Sequence, residues 1–305
     1  MMNKNPLQMT STHSLSVLDF SQLLSALIHI TQQAGELLSV FYNNHLQSSI
    51  DIETKNDSSP VTAADMAAHD FIESALHRLT PEIPVLSEES ADVSERRQWS
   101  RFWLVDPLDG TREFIKKTGE FTINIALVEA GLVLIGVIGV PLKQQVYVAS
   151  NNLASQVNQP KQAYRIDKDG SRHELTEHRV QGKNLNTAMS RNSSRPQYAE
   201  YQQQLTQAGF EFNTINAGSA YKFCLMVDGK IDLYPRLHPT SEWDTASGQC
   251  LLEVLGGALV DLNGQPFIYN QRQGLLNGPF IAIVDRELLP AVLPKEFIAD
   301  EKHFK

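Results

Sequence analysis

The first part of the chain shows two helical patterns followed by a series of strands. Apolar residues recur at helical spacing from about residue 19 to residue 42, which predicts a helix with one buried face. A second helix is predicted to begin at Thr62, which forms a T-x-x-D pattern like a capping box with Asp65, and to end near Leu79. Beyond residue 84 the pattern is that of strands, predicted at residues 85–87, 102–105, 121–128, 132–140 and 146–149.

One apolar run, residues 125–142, has nearly the length of a membrane helix. Its one charged residue is Glu129, three glycines interrupt it, and Val and Ile dominate the rest. This composition favours two buried strands that pair across a turn at residues 129–131. Residues 1–16 are polar and lack a continuous apolar stretch, so no secretory signal is expected.

The second half alternates strands with helices. Residues 151–185 are polar, with a hairpin turn expected at Asp169-Gly170. The chain is therefore interpreted as a loose tail over residues 1–15, an N-terminal α+β domain over residues 16–183 and a C-terminal α/β domain over residues 184–305. In that second domain strands are predicted at residues 187–190, 211–215, 231–234, 258–261 and 280–284, and helices at residues 198–208, 219–228 and 244–255.

The composition of the chain indicates which classes of molecule it is able to bind. The 305 residues are 42% hydrophobic, which allows one large core or two modest ones. The formal net charge of −9 argues against a nucleic-acid polymer as partner, because such binding needs a basic surface. The two cysteines, Cys224 and Cys250, are expected to be small buried side chains in a reducing compartment. Six basic residues can still form a local site for one small anion: Lys116, Lys117, Lys222, Arg191, Arg195 and Arg236.

Three acidic groups stand at the ends of predicted elements. Residues 87–90 (Ser-Glu-Glu-Ser) follow one strand, residues 106–111 (Asp-Pro-Leu-Asp-Gly-Thr) follow the next, and residues 243–245 (Trp-Asp-Thr) open a helix. Strand ends and helix starts are where sheet proteins build their sites. We expect Pro107 to turn the chain so that Asp106 and Asp109 aim at one point. The backbone N–H groups of Gly110 and Thr111 are then placed to hold a phosphate.

Carboxylates that converge in this way need a compensating charge. At a separation of about 4 Å, each pair repels by roughly 4 kcal/mol at an effective dielectric constant near 20. Bound cations or raised pKa values relieve the repulsion, and an all-oxygen ligand set favours magnesium, manganese or calcium over zinc. Each motif alone is also typical of a turn, a solvated acidic pair or a helix N-cap, and it is their ordered combination that favours a site.

The chain resembles the inositol monophosphatase superfamily of magnesium-dependent, lithium-sensitive phosphatases. The signatures are the Asp-Pro-x-Asp-Gly-Thr box at residues 106–111 and a Trp-Asp box that begins at Trp243 and closes with Gly256-Gly257. The upstream Glu-Glu pair and the Val-Thr-Ala-Ala-Asp element at residues 61–65 appear in the family's order. The resemblance covers about residues 20–285 and implies an αβαβα layered sandwich, with metal ligands in the first domain and the active site at the interface of the two.

Within the superfamily the chain is most similar to the bacterial 3′(2′),5′-bisphosphate nucleotidases. The similarity rests on residues 59–65, 84–89, 109–116, 119–127, 222–225 and 233–236. It implies hydrolysis of adenosine 3′,5′-bisphosphate to AMP and phosphate, and the same reaction on the corresponding phosphosulfate, an intermediate of sulfate activation. A longer N-terminal tail, a poor match over residues 151–180 and the stretch at residues 218–221 depart from the family pattern.

The resemblance also implies a role for individual residues. Two magnesium ions are expected, with manganese as a substitute, lithium as an inhibitor and a third, weaker ion at Glu88. Thr111, hydrogen-bonded to Asp65, would orient the attacking water, with Glu88 also catalytic. The first ion would be held by Glu88, Asp106 and the Leu108 carbonyl, and the second by Asp106, Asp109 and Asp244. Expected substrate contacts are Glu88, Gly110, Thr111, Ser190, Arg191, Ser219, Lys222, Arg236 and Asp244.

Several alternatives stay open at this point. Lys222 fits a solvated helix lysine as well as a substrate contact. An inositol-phosphate or sugar-phosphate phosphatase on the same scaffold is the second interpretation, and a non-catalytic nucleotide-binding protein is the third. The resemblance implies a cytoplasmic enzyme acting on a small nucleotide, with peripheral contact to the inner membrane as an addition. Monomer and homodimer are equally compatible with the sequence.

Overall fold

A computed structural model describes residues 20–47, 52–54, 60–90, 93–152, 161–189 and 196–294. The predicted tail, residues 1–15, lies outside this range. The helices are α1 (Phe20–Gln47), α2 (Ala63–Leu79), α3 (Thr111–Ile115), α4 (Pro196–Gln207), α5 (Tyr221–Val227), α6 (Ala246–Val254) and α7 (Leu289–Val292). The first eight strands are β1 (Ile52–Thr54), β2 (Pro60–Thr62), β3 (Val85–Ser87), β4 (Arg101–Asp109), β5 (Thr122–Glu129), β6 (Leu132–Val140), β7 (Gln145–Ser150) and β8 (Gln162–Ile166). The others are β9 (Arg172–Glu174), β10 (Asn184–Met189), β11 (Glu211–Asn216), β12 (Leu233–Arg236), β13 (Thr240–Ser241), β14 (Ala258–Asp261), β15 (Leu276–Asn277) and β16 (Phe280–Ile283).

The larger sheet contains seven strands, β3 to β9, paired in the order of the sequence. β3 and β4 are parallel, whereas each later neighbour is antiparallel. The apolar run forms β5 and β6, with Ala130 and Gly131 at positive φ in the turn, so the prediction of paired strands is confirmed. In the described ranges, no helix is both long and apolar enough to span a bilayer.

The smaller sheet contains five strands in the order β11-β10-β12-β16-β14. β10 is parallel to both β11 and β12, whereas β16 is antiparallel to its two neighbours. The larger sheet comes from residues 85–174 and the smaller from residues 184–283. One hydrophobic cluster contains residues of both sheets, among them Leu104 and Ala282. The division into two domains stays an interpretation.

Helices separate and flank the two sheets. On the outer face of the larger sheet, Leu27 of α1 and Ile72 of α2 belong to one buried cluster with Trp103. This burial accounts for the helical spacing of apolar residues in the sequence, because one stripe of each helix covers the sheet. The pattern predicted a first helix over residues 19–42, and α1 extends five residues beyond that end.

The remaining helices complete the layers. α5 and α6 lie between the sheets, where Cys224 and Cys250 are both buried, as predicted, and both are free thiols. α4 covers the outer face of the smaller sheet through Tyr201 and Leu205. The resulting order of helix, sheet, helix, sheet, helix confirms the αβαβα sandwich expected from the resemblance.

The contact between α6 and β6 is unusually close. A Cβ atom added at Gly136 of β6 would lie 2.7 Å from the carbonyl oxygen of Ser247 and 2.8 Å from Cβ of Cys250. Only a residue without a side chain permits this approach. This close contact fixes the position of α6, which begins two residues after Asp244.

Candidate metal centre and active site

Three of the carboxylates singled out in the sequence lie together. One oxygen from each of Asp106, Asp109 and Asp244 falls within 4.8 Å of the other two. Asp106 is almost completely buried, with 1% of its surface exposed, and the other two are partly buried. An all-oxygen set of this kind matches the preference of hard divalent cations such as magnesium. The residues present therefore fit the divalent ions that the resemblance implies.

Asp106 and Asp109 meet through a bulge in β4, not through the turn that we predicted at Pro107. β4 continues to Asp109, and its register against β5 shifts between the two aspartates: Asp106 faces Asn124, whereas Asp109 faces Thr122. Two residues of β4, at positions 107 and 108, thus lie opposite one residue of β5, at position 123. In a regular strand residues three apart point to opposite faces, and the extra residue brings both carboxylates to the same face. Pro107 is tolerated because a bulge leaves one residue without ladder pairing.

Asp244 is fixed by the segment that precedes α6. Its carboxylate accepts hydrogen bonds from the Thr240 hydroxyl and from the Ser241 backbone N–H, the latter at 3.2 Å. Its own N–H donates to the Ser241 carbonyl at 3.3 Å. Thr240 was not among the predicted site residues, since a threonine four positions before an aspartate has no distinctive sequence pattern.

Asp109 is held by donors from two distant parts of the chain. The Ala220 backbone N–H donates to its carboxylate at 2.5 Å, and the Asn124 side-chain amide donates to it at 3.4 Å. Asn124 also donates to the Trp243 carbonyl at 3.5 Å, so this buried amide links the two aspartate motifs. Sequence reasoning did not assign Asn124 a role, although it lies within the stretch 119–127 on which the resemblance rests.

Burial makes Asp106 hard to ionise. It raises the pKa of Asp106 well above its usual range, because desolvation penalises the charged form. The negative charges of nearby carboxylates raise it further, in the order Glu88, Asp109, Asp244 and Asp65. Glu88 begins a three-ten turn directly after β3, and Asp65 is a buried residue in the first turn of α2. The other four predicted carboxylates therefore all lie close enough to Asp106 to raise its pKa.

The pKa of Asp109 shows that nearby positive groups partly offset the negative charge of the cluster. Burial, together with the charge of Asp244, raises this pKa from 3.8 to about 7. The charge of Lys222, the Ala220 N–H and the charge of Arg236 act in the opposite direction. Both predicted cations thus lie close enough to the acidic cluster to affect it.

Arg236 lines a small cavity together with Asp109 and Asp244, and the charge of Lys222 also acts on Asp109. Lys222 is buried, with 3% exposure, and its ammonium donates to the carbonyls of Ala217 and Ser219 and lies 4.9 Å from the centre of the Tyr234 ring. The interpretation of Lys222 as a solvated helix lysine is therefore wrong. Arg236 donates to the Tyr234 hydroxyl at 3.4 Å, and its Nε is buried without a hydrogen-bond partner in the described ranges.

The start of α3 follows the bulge directly. Gly110 has a φ of 96°, a left-handed conformation that suits glycine, and a Cβ there would lie 3.1 Å from Cβ of Ser219. The Thr111 hydroxyl donates to the Leu108 carbonyl at 3.3 Å, and the Leu108 N–H donates to Asp106 at 3.1 Å. The hydrogen bond between Thr111 and Asp65 stays a prediction.

A strained turn between β11 and α5 packs against the segment that precedes β5. Ser219 has a φ of 45°, and its hydroxyl donates to the Glu120 carbonyl at 2.9 Å. The Glu120 carboxylate accepts from the Gly218 N–H at 2.8 Å, which places Ala220 opposite Asp109. Glu120 was not predicted, and Ser219 as a substrate contact stays a prediction. Ser190 and Arg191 lie outside the described residues.

The chain is similar to known proteins over most of its length. The model of the inositol monophosphatase family matches residues 19–293. The curated 3′(2′),5′-bisphosphate nucleotidases CysQ of Salmonella typhimurium and Escherichia coli are 39% and 38% identical over 259 residues, covering 85% of this chain and 98% of each relative. The crystal structure of CysQ from Bacteroides thetaiotaomicron has a TM-score of 0.70 at 33% identity, covering 87% of this chain and 97% of that one. The suhB structure from Bartonella henselae has a TM-score of 0.72 at 20% identity, covering 90% and 99%, a likeness of fold alone.

Proposed function

Because the chain belongs to the inositol monophosphatase family, we propose that it is a magnesium-dependent phosphatase of adenosine 3′,5′-bisphosphate. It removes the 3′-phosphate and leaves AMP and inorganic phosphate, and it acts likewise on the corresponding phosphosulfate. The observation that carries the proposal is the meeting of Asp106, Asp109 and Asp244 within 4.8 Å of one another. The support for the substrate is the similarity to the CysQ nucleotidases over most of both chains.

The ligand assignment follows the sequence motifs. Glu88, Asp106 and the Leu108 carbonyl hold the first ion, and Asp106, Asp109 and Asp244 hold the second. When bound, divalent cations act as Lewis acids that polarise the phosphate and make water nucleophilic at neutral pH. The protein's own part is to hold these oxygens together despite their mutual repulsion.

Thr111 orients the attacking water in this proposal. Its hydroxyl donates to the Leu108 carbonyl, so the lone pairs of Oγ1 stay available to accept a hydrogen bond from the attacking water and orient it. The backbone N–H groups of Gly110 and Thr111 bind the phosphate that is cleaved. The left-handed conformation of Gly110, where a Cβ atom would lie 3.1 Å from Cβ of Ser219, lets the chain turn from β4 into α3 at this point.

Lys222 and Arg236 support a substrate with two phosphates. One phosphate is bound at the acidic cluster, and a second needs cations nearby. The buried Arg236 Nε is an unsatisfied donor within the described ranges, which is costly unless a ligand oxygen completes it. Lys222 supplies a second positive charge near Asp109. An inositol monophosphate carries no second phosphate for these groups.

The test is phosphate release from a small panel of esters, measured with magnesium and with EDTA. The panel contains adenosine 3′,5′-bisphosphate, the phosphosulfate, AMP and inositol 1-phosphate. We expect the bisphosphate to give the highest kcat/KM and EDTA to abolish release. A strong preference for inositol 1-phosphate would support the inositol-phosphate phosphatase instead. Tight nucleotide binding without any phosphate release would support a non-catalytic protein.

The proposal extends to the ions and the setting of the enzyme. Manganese replaces magnesium, and lithium inhibits by competing at a cation position. The enzyme works in the cytoplasm, in the turnover of the nucleotide by-product of sulfate assimilation, with peripheral contact to the inner membrane. Indifference of the activity to lithium would contradict the cation assignment, and an absence of the protein from membrane fractions would contradict the membrane contact.

A further inference from the structure

A buried ionic network lies beside the acidic cluster and has no part in the chemistry above. Its centre is Glu242, whose side chain is fully buried. One carboxylate oxygen accepts a hydrogen bond from the Arg272 guanidinium at 2.8 Å, and the other accepts one from the Asn270 backbone N–H at 2.7 Å. The Glu242 carboxylate is fully buried, whereas 39% of the Arg272 side chain is accessible, and an ion pair of this kind is weak evidence for stability. The contacts that surround it indicate another role.

The main chain of Glu242 holds the segment that carries Asp244. The Glu242 carbonyl accepts hydrogen bonds from the N–H groups of Thr245 and Ala246, both at 3.2 Å, and from the Thr245 hydroxyl at 3.1 Å. The Glu242 N–H donates to the Leu275 carbonyl at 2.8 Å. Asp244 lies between these contacts, so a displacement of Glu242 displaces Asp244 as well.

A second set of contacts closes around Asp244 from the other side. Arg272 also donates to the side-chain oxygen of Asn277, and Asn277 donates to the Thr245 hydroxyl at 2.8 Å. In the β13–β15 pair, Asn277 faces Thr240, whose hydroxyl donates to the Asp244 carboxylate. The ion pair therefore belongs to a hydrogen-bonded ring that passes through Asn277 and Thr245, and Asn277 is the strand partner of Thr240, which binds Asp244 directly.

The same network reaches the connection between β3 and β4. The buried Arg96 donates to the Asn270 side-chain oxygen at 2.6 Å, and the Asn270 amide donates back to the Arg96 carbonyl at 2.5 Å. Asn270 has a φ of 57°, and this paired side chain holds it there. β3 leads to Glu88 and β4 ends with Asp106 and Asp109, so the network joins the strands that carry those carboxylates to the segment that carries Asp244.

We propose that Glu242 and Arg272 are positioning residues for the metal centre. The pair holds Asp244 at the distance from Asp106 and Asp109 at which all three bind a divalent cation. The inference rests on the proposed metal site and goes beyond it, because it assigns part of the cation affinity to a pair that does not touch the cation. Partners that orient metal ligands typically account for a tenfold to hundredfold difference in affinity.

The test compares Mn²⁺ binding to the wild-type protein and to E242Q, by electron paramagnetic resonance without substrate. E242Q keeps the shape of the side chain and removes its charge. D232N is the matched control, because Asp232 is also buried and accepts from the Asn186 N–H at 2.8 Å and from His178 at 3.1 Å. We expect both variants to lower the thermal midpoint, but E242Q alone to weaken Mn²⁺ binding by at least tenfold. Saturating Mn²⁺ is expected to restore its kcat to within threefold of wild type.

The possible results distinguish a failure of the positioning role from a failure of the metal site. A wild-type protein that does not bind Mn²⁺ would refute the metal site and the inference with it. Wild-type binding with E242Q within twofold of it, or equal weakening in D232N, would overturn the positioning role alone. R272Q removes the other member of the pair, at a position where 39% of the side chain is accessible to solvent. If E242Q does not fold, the Mn²⁺ affinity of R272Q tests the positioning role instead. Mn²⁺ binding by R272Q within twofold of wild type would also overturn the inference.

Discussion

Replacing Gly136 with alanine should strain the contact between α6 and the larger sheet. The new Cβ would lie 2.7 Å from the Ser247 carbonyl oxygen and 2.8 Å from Cβ of Cys250, whereas ordinary contacts begin at about 3.4 Å. The obstructing atoms are backbone or directly attached to it, so no side-chain rotation removes the clash. The helix or the strand must therefore move by more than half an ångström.

The expected cost follows from the behaviour of overpacked cores. Extra methyl groups in a well-packed interior destabilise by about 1–3 kcal/mol, and a clash with backbone belongs near the upper end. Against this, alanine restricts the unfolded chain and returns about 0.4–1 kcal/mol. We therefore expect G136A to lower the free energy of unfolding by about 2 kcal/mol.

Urea denaturation followed by tryptophan fluorescence measures this difference. G274A is the matched control, because no atom lies within 4 Å of a Cβ at that position and its φ is not in the left-handed region. Both replacements restrict the unfolded chain equally, so the difference between them reports the contact with α6. A G136A protein as stable as G274A, within 0.5 kcal/mol, would refute the argument that this glycine sets the spacing of the layers.

Three further predictions concern the site. D106N should lower kcat by at least a thousandfold, because Asp106 is assigned to both ions, and near-normal turnover would contradict that assignment. In EDTA the same replacement should raise the thermal midpoint, because it removes a buried charge. The metal-free protein should lose about 2 kcal/mol of stability between pH 5.5 and pH 8, since a folded-state pKa of about 7 for Asp109 exceeds the unfolded value and folding therefore favours the protonated form. Urea unfolding in EDTA measures this loss, and an equal loss in D109N would assign it to other groups. K222M should raise KM for adenosine 3′,5′-bisphosphate at least tenfold and KM for inositol 1-phosphate less than threefold. Steady-state assays measure both constants, and an equal rise in the two KM values would contradict a role of Lys222 in binding the second phosphate.

Local pattern was sufficient to predict most of the fold. The helical stripes of α1 and α2 and the β-branched run of β5 and β6 are signals that tertiary contacts reinforce, so their positions were predicted closely. The carboxylates were also predictable as a set, because each stands where a strand ends or a helix begins. Their meeting point required the long-range pairing of β3, β4 and β5.

The errors arose where distant residues decide the local geometry. Pro107 is typical of a turn, but its neighbours pair with β5 and the chain forms a bulge instead. For Lys222 the sequence left a solvated lysine and a substrate contact open, and its burial in α5, in the middle layer, excludes the first of these. The contacts of Asn124 with the Trp243 carbonyl and of Glu242 with Arg272 join residues far apart in the chain, so no local spacing indicates them.

The bulge in β4 limits how this part of the chain can vary during evolution. Asp106 and Asp109 share a face because the segment between them has one residue more than the facing segment of β5. Substitution at the intervening positions preserves that count, but an insertion or deletion would turn one aspartate to the opposite face of the sheet. The hairpin at Gly170 differs, since nothing lies within 4 Å of that glycine and extra residues there would extend into solvent. We therefore expect an insertion to disrupt the site in the first segment and to be tolerated in the second.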